Sequence, residues 1–315
     1  MIRFPTSPRE AATLGGLYRA GGTDLQERRR HGITTGDLTD LRDLGALDEI
    51  SEGRDGLQIG ARVTIAAIAA HPAIRAGYPG LAAAAGGLAT PQIRARGTLG
   101  GNLAQEVRCW YYRSPEFTCL KQGGGACLAR SGDHLFHACF DQGPCAAPHP
   151  STLAAALMAY DAMVSIQGER ELRSIAAVIG DGAAPRQTNA LGEGELIAAV
   201  KLPPPAAGER AAYFRAISRS RSEWPLVEVV ARLQVSEGTI VSAQVSMGGV
   251  ANTPLRLPAV EAALSGQPAT AETLAAAAPL AADGATPLPM TKYKVALIPG
   301  TVLETLERAL SGGDA

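Results

Sequence analysis

The feature that most constrains this chain is where its cysteines fall. The sequence has 315 residues and five cysteines, and Cys109, Cys119, Cys127, Cys139 and Cys145 all lie in one stretch. A disulfide framework would spread them through the chain. Local clustering instead predicts one thiol-rich segment set into a cysteine-free fold. Cys109, Cys119, Cys127 and Cys145 are separated by 9, 7 and 17 residues. No Cys-x2-Cys pair occurs, so neither a zinc ribbon nor a ferredoxin run matches. Gly123-Gly124-Gly125 would allow a sharp bend between Cys119 and Cys127. His134, His137 and His149 lie nearby. The residues alone leave four readings open: an iron–sulfur site, zinc, buried free thiols, or a cysteine nucleophile served by His137 or His149.

The rest of the chain reads as regular structure. A helix is predicted at Pro8–Leu14, a polar helical stretch after Leu25, and a short segment around Asp37–Leu41. GLQIG at Gly56–Gly60 reads as a strand, and Thr64 as the N-cap of the helix that follows. Further helices are expected at Pro79–Leu88 and Ser151–Asp161, and strands at Ala162–Gln167 and Glu195–Leu202. Residues 106–147 show little periodicity. Leu202-Pro203-Pro204-Pro205 marks a boundary, because consecutive prolines continue neither a helix nor a central strand. Beyond it, strands at Ala211–Ser218, Leu226–Val235 and Thr239–Met247 precede helices at Leu257–Leu264, Ala271–Ala282 and Thr301–Leu310. Strands followed by helices predict a separate α+β domain.

Two glycine turns carry binding potential. Gly21-Gly22 with Thr23 and Asp24 could aim several backbone N–H groups at one point, and Gly100-Gly101-Asn102 could do the same. Thr23, Thr98 and Asn102 would add side-chain donors. Neither turn is Gly-x-Gly-x-x-Gly, so a Rossmann reading is weak. As a pair the turns suggest a diphosphate site.

Composition excludes several classes. Hydrophobic residues make up 46% and charged residues 19%, the balance of a soluble globular protein. The net charge is −1 with no basic stripe, which argues against nucleic acid. Arg28-Arg29-Arg30 reads as a solvated helix face. No apolar run reaches the ~18–20 residues of a membrane span. MIRFPTSPRE lacks the apolar stretch of a signal peptide. The expected compartment is therefore the cytoplasm, or the periplasm by export with a signal-bearing partner.

The motifs together resemble the FAD-binding medium subunit of the xanthine oxidase family of molybdenum hydroxylases. YRAGGTDLQ at Tyr18–Gln26 is similar to one family turn and RGTLGGNLAQ at Arg96–Gln105 to the other. GELIAAVKLPPP at Gly194–Pro205 resembles the strand leaving the flavin domain. Val245–Gly266 and Thr291–Leu310 resemble the C-terminal domain. The implied fold class is α+β. A two-part FAD-binding domain of the vanillyl-alcohol-oxidase/PCMH type would span 1–205, split near residue 55. An α+β domain with a three-stranded sheet and helices would span 206–315. The cysteine-rich insertion at about 106–147 resembles the subgroup that adds a [4Fe–4S] cluster, which includes aldehyde oxidoreductases and 4-hydroxybenzoyl-CoA reductase. By that resemblance Cys109, Cys119, Cys127 and Cys145 are the ligands and Cys139 is spare. FAD would be held by Arg19, Ala20, Gly21, Gly22, Thr23, Asp24, Leu25, Thr98, Gly100, Gly101, Asn102, Thr152 and Arg215. Two departures stand out. Thr152 replaces an aspartate of the family, and Arg215 stands for its lysine.

The resemblance implies no catalytic residue in this chain. Substrate chemistry would occur at a molybdenum cofactor in a large partner subunit. Electrons would cross two [2Fe–2S] clusters in a small subunit and leave to an external acceptor. The favoured complex is an aldehyde oxidoreductase, with a 4-hydroxybenzoyl-CoA reductase-type subunit as the alternative. A stand-alone FAD oxidase would need a larger substrate domain. A zinc-stabilised binding module would leave both glycine turns unexplained.

Overall fold

Three sheets organise the chain, and the computed structural model describes residues 1–312 of it. The first is a parallel sheet in the order Ile2–Arg3, Leu38–Asp40, Leu17–Arg19. The helix Pro8–Leu14 links its outer strands. Ser7 caps that helix by accepting the Glu10 N–H at 3.2 Å, and proline occupies its first turn.

The second sheet is antiparallel in the order Ile50–Gly53, Gly56–Gly60, Ile197–Leu202, Met163–Ile166, Arg173–Ser174. Between Gly60 and Met163 the chain makes a long helical excursion. Thr64 caps Ile65–Ala70, and proline opens each of Pro72–Gly77, Pro79–Gly87 and Pro91–Arg96. Proline at these positions loses no helical hydrogen bond, since the first N–H groups have no intrahelical partner. Ser151 caps the nearly fully buried Thr152–Ala159 helix, which packs with Pro79–Gly87 in the main core.

The third sheet is antiparallel in the order Leu255–Arg256, Thr239–Gly248, Val227–Ser236, Glu209–Ala216. Its period of two divides two cores. Val227, Val229, Ala231 and Leu233 face the C-terminal core with Ile298, Val302 and Leu306. Val230 and Ala211 instead join the core of the preceding unit. Both faces of this sheet are therefore covered.

Several expectations need correction here. The C-terminal sheet has four strands rather than three, because the short Leu255–Arg256 pairs with Ser246 and Met247. The last helix spans Lys292–Leu310 and runs through Pro299, well before the expected start at Thr301. Proline removes one hydrogen bond, but the apolar face made by Ile298, Val302, Leu306 and Ala309 holds both halves against the sheet. Segment 106–147 contains three single helical turns, Trp110–Arg113, Leu120–Gln122 and Leu128–Ser131. Among the described residues no helix is long and apolar enough to cross a membrane.

Candidate cofactor site

The first glycine loop joins the strand Leu17–Arg19 to the helix Leu25–Arg30. Among the described residues, the N–H groups of Gly21, Gly22, Thr23 and Asp24 donate to no protein group. Consecutive unpartnered N–H groups form an anion-binding concavity. Gly22 has a φ of 73°, which favours glycine. Gly21 is needed for a different reason: a Cβ there would collide with the Arg96 carbonyl and crowd Gly97. The loop thus rests on the backbone that leads to Thr98.

The second loop differs from expectation. Gly100, Gly101 and Asn102 lie in a short helix, Leu99–Leu103, rather than a turn. Their N–H groups already bond to Ala61 O (2.8 Å), Thr98 Oγ1 (3.3 Å) and Thr98 O (2.8 Å). Asn102 Oδ1 accepts from Ser151 Oγ at 2.6 Å and Leu153 N at 3.3 Å, so it pins the start of the Thr152–Ala159 helix. Free N–H groups for an anion are therefore concentrated in the first loop.

Every residue expected at the cofactor lines one of three clefts, and all three clefts share Thr98. One, of about 750 Å³, is lined by Arg19, Ala20, Gly21, Gly22, Arg42 and Arg62. A second, of about 120 Å³, runs from Gly21–Leu25 past Gly100 and Gly101 to Leu196 and Ile197. The third, of about 220 Å³, holds Thr23, Gly101, Asn102, Thr152 and Arg215. An elongated molecule with an anionic middle fits this layout. In the largest cleft Arg19 and Arg42 bind the buried Asp40. Burial pushes the Asp40 carboxyl up, but the hydrogen bonds from Arg42 and Arg19 outweigh it and hold its pKa at about 2.

Asp24 was expected at the cofactor, yet its carboxylate is occupied. It pairs with Arg113 at 2.6 Å, Arg28 at 3.0 Å and Arg108 at 3.1 Å. Burial raises its pKa, and the three guanidinium groups together lower it further than burial raises it. Arg28 therefore belongs to a buried ion cluster, which corrects the solvated-face reading for that residue. Arg108 and Arg113 come from the cysteine segment, so Asp24 ties that segment to the glycine loop. The i, i+4 spacing of Asp24 and Arg28 is visible in the sequence; the other two partners are not.

Arg215 projects from the strand Glu209–Ala216, and its guanidinium donates to the carbonyls of Arg221 and Glu223. Thr152 lines the same cleft, but its hydroxyl donates inward to Glu228 Oε2 at 2.9 Å. Tyr213 OH donates to the same oxygen at 2.9 Å. Glu228 is 2% exposed, and burial raises its carboxyl pKa. Sequence reasoning missed Glu228. The signal was a lone acid within the apolar run Val227–Ala231 of a predicted strand.

The cysteines separate into two places. Cys119 and Cys145 are buried in one small cluster with Val107 and Tyr112, and Cys109 packs against it. Cys127 and Cys145 are neighbours that act on each other, lowering the Cys127 thiol and raising the Cys145 thiol. Cys109, Cys119 and Cys127 each stand at the N-cap of a helical turn. Cys145 Sγ accepts the Ala147 N–H at 3.5 Å, and Cys109 Sγ lies 3.1 Å from His137 Nε2. Cys139 lies in the C-terminal core, with its N–H on Val250 O at 2.8 Å. Among the described residues, no three His, Cys, Asp or Glu side chains converge as one metal ion would require.

Comparison with known proteins defines the class. Residues 17–205 match the FAD binding domain in molybdopterin dehydrogenase, and residues 212–309 match the CO dehydrogenase flavoprotein C-terminal domain. The chain therefore belongs to the FAD-binding medium subunits of the xanthine oxidase family of molybdenum hydroxylases. It is 36% identical to the aldehyde oxidoreductase FAD-binding subunit PaoB of Escherichia coli (strain K12), over 93% of this chain and 94% of that one. It is 27% identical to the carbon monoxide dehydrogenase medium chain of Afipia carboxidovorans, over 75% of this chain and 67% of that one. A solved carbon monoxide dehydrogenase from Hydrogenophaga pseudoflava superposes with a TM-score of 0.78, covering 98% of this chain and 96% of that one at 24% identity. That likeness shows the fold: a two-part FAD-binding unit followed by a C-terminal domain.

Proposed function

We propose that this chain is the FAD-binding, electron-passing subunit of a molybdenum-dependent aldehyde oxidoreductase and that it also carries a [4Fe–4S] cluster. Its partners would be a large molybdenum-cofactor subunit and a small subunit with two [2Fe–2S] clusters. The compartment would be that of the complex, the cytoplasm or, with a signal-bearing partner, the periplasm. The observation that carries the aldehyde reading is the 36% identity, across nearly the full length of both chains, to an aldehyde oxidoreductase subunit.

FAD, when bound, supplies the one- and two-electron redox chemistry. The residues of this chain would position and tune it. The N–H groups of Gly21–Asp24 would hold the diphosphate, helped by the Thr23 hydroxyl. Arg215 would set a fixed cation in the cleft shared with Thr152, favouring an anionic reduced ring by charge pairing. Cys109, Cys119, Cys127 and Cys145 would hold the cluster. Each thiolate of a cluster binds its own iron, so the sulfurs need a common neighbourhood rather than a common point. The packing of Cys109, Cys119 and Cys145 in one small buried cluster and the backbone N–H on Cys145 Sγ suit that role, since hydrogen bonds to sulfur tune cluster potential. The Asp24 ion cluster would keep the flavin loop and the cluster segment in fixed register.

The test is cofactor analysis of the purified complex: flavin, iron, acid-labile sulfide and zinc. The expected result is one FAD per chain, with roughly four irons beyond those of the small subunit. Cys119→Ser should lose most of that iron, while Cys139→Ala should keep it. Full iron in Cys119→Ser would sink the ligand set, and stoichiometric zinc in place of iron would sink the cluster.

A further inference from the structure

Three histidines in and beside the cysteine segment, His134, His137 and His149, are all buried, and their rings are used differently. His134 is fully engaged within the protein. Its Nδ1 lies 2.9 Å from Ala129 O and 2.7 Å from Gly132 O, and its Nε2 accepts the Met290 N–H at 3.1 Å. His149 Nδ1 accepts the Ser151 N–H at 3.3 Å, beside the cap of the Thr152–Ala159 helix. His137 faces a sulfur instead: its Nε2 lies 3.1 Å from Cys109 Sγ.

The surroundings fix His137 from both sides. It is 2% exposed. Its own N–H donates to His134 O at 3.0 Å, and the Ala138 N–H donates to Ala146 O at 2.8 Å, next to Cys145. Phe136 O accepts from the buried Lys294 Nζ at 3.1 Å. Lys294 also donates to Gly249 O at 2.8 Å, so the last helix and the end of the strand Thr239–Gly248 hold this stretch of chain. The His137 ring stands edge-on to Trp110, the neighbour of Cys109, with centroids 5.2 Å apart.

The chemistry of the pair sets its direction. A cysteine that ligates iron is a thiolate, with lone pairs and no proton to give. The ring nitrogen facing it must then carry the proton. In a neutral ring that leaves Nδ1 bare, and Nδ1 is the atom without a partner. Buried acceptors go unpaired more often than buried N–H groups, so the surroundings favour the same tautomer.

We propose that His137 is a positioning residue for the iron–sulfur cluster: its Nε2–H donates to Cys109 Sγ, holds that thiolate in place and raises the reduction potential of the cluster. This rests on the [4Fe–4S] reading. One added electron, delivered by aldehyde oxidation at the partner subunit, makes the ligand sulfur more negative. The hydrogen bond then strengthens, so the reduced form gains more from it than the oxidised form. The proton stays on Nε2 in both states, and only the electron moves.

The test is a redox titration of the purified complex followed by electron paramagnetic resonance, with iron, sulfide and flavin measured on the same preparation. The [2Fe–2S] signals of the small subunit serve as the internal reference. His137→Phe keeps a ring against Trp110 and removes the N–H. At the wild-type midpoint its ratio of reduced to oxidised cluster should fall about tenfold, a downward shift of about 59 mV for a one-electron couple. His137→Gln places an N–H at similar reach and should restore most of that shift, with the reference signals unmoved in both variants. An unchanged midpoint in His137→Phe at full iron, or a midpoint as low in His137→Gln as in His137→Phe, overturns the proposal. If His137→Phe loses its iron, His137→Gln decides: full iron at the wild-type midpoint supports the hydrogen bond, and lost iron or a lowered midpoint overturns it. A wild-type complex that holds flavin but no iron beyond that of the small subunit overturns the cluster reading itself, and this proposal with it.

Discussion

Glu228 is one of the residues through which the C-terminal sheet meets the preceding unit, and replacing it in two ways separates its roles. Its Oε2 accepts from Thr152 Oγ1 and Tyr213 OH, at 2.9 Å each. Glu228→Leu keeps a similar volume but removes the acceptor from both hydroxyls. Each buried donor left unpaired costs about 1–3 kcal/mol. The added apolar burial of leucine returns roughly 1.5–3 kcal/mol. At the centre of those ranges the net loss is about 2 kcal/mol, or roughly 4 °C in Tm for a chain of this size. Glu228→Gln keeps a carbonyl acceptor and should cost far less.

The two forms also differ in pH dependence. Burial raises the Glu228 pKa above its ordinary value of 4.5. The stability contributed by a group of that kind is full below its unfolded pKa. It is lost as pH rises through the folded value. Glutamine does not ionise, so the Tm of Glu228→Gln should gain on the wild type as pH is raised from 5 upward. The assay is thermal unfolding of the purified complex at a series of pH values, followed by flavin release. Thr152 lines the cleft proposed for the flavin, so release should track loss of this seam. A Tm difference that does not change with pH, or a glutamine variant as damaged as the leucine one, would refute the reasoning.

Two further outcomes follow from the first loop. Gly21→Ala forces the loop away from the Arg96 carbonyl, so the purified complex should lose most of its flavin, read as visible absorbance against protein. Asp24→Asn leaves Arg28, Arg108 and Arg113 without their shared carboxylate, a loss of about 3–5 kcal/mol for a buried cluster. Hydrogen exchange in peptides covering residues 106–114 should rise at neutral pH in that variant. In the wild type the Asp24 pKa is lowered, so its contribution is present above the ordinary carboxylate value of 3.8. It is lost as pH falls through the folded pKa. The same peptides should then loosen only in acid.

How much of this was legible in the sequence depends on how local each feature is. Pro8–Leu14 and Gly56–Gly60 have the expected bounds because a cap, a proline or an alternating run acts within a few residues. The first glycine loop was visible for the same reason, since paired glycines show in a short window, whereas the second glycine pair proved to lie in a helix. The groups that organise the site are ordinary charged residues made special by burial, and burial belongs to the fold. Arg113 reaches Asp24 across 89 positions, and Thr152 reaches Glu228 across 76. Spacing could not separate Cys139 from the other cysteines, whereas packing places it in a different core. Thr152 makes the point most sharply. Read alone, it is an acid deleted from the flavin cleft. In the fold, its hydroxyl is hydrogen-bonded to a buried carboxyl on the strand Val227–Ser236. That carboxyl lies behind the cleft rather than in its wall, where burial favours its neutral form.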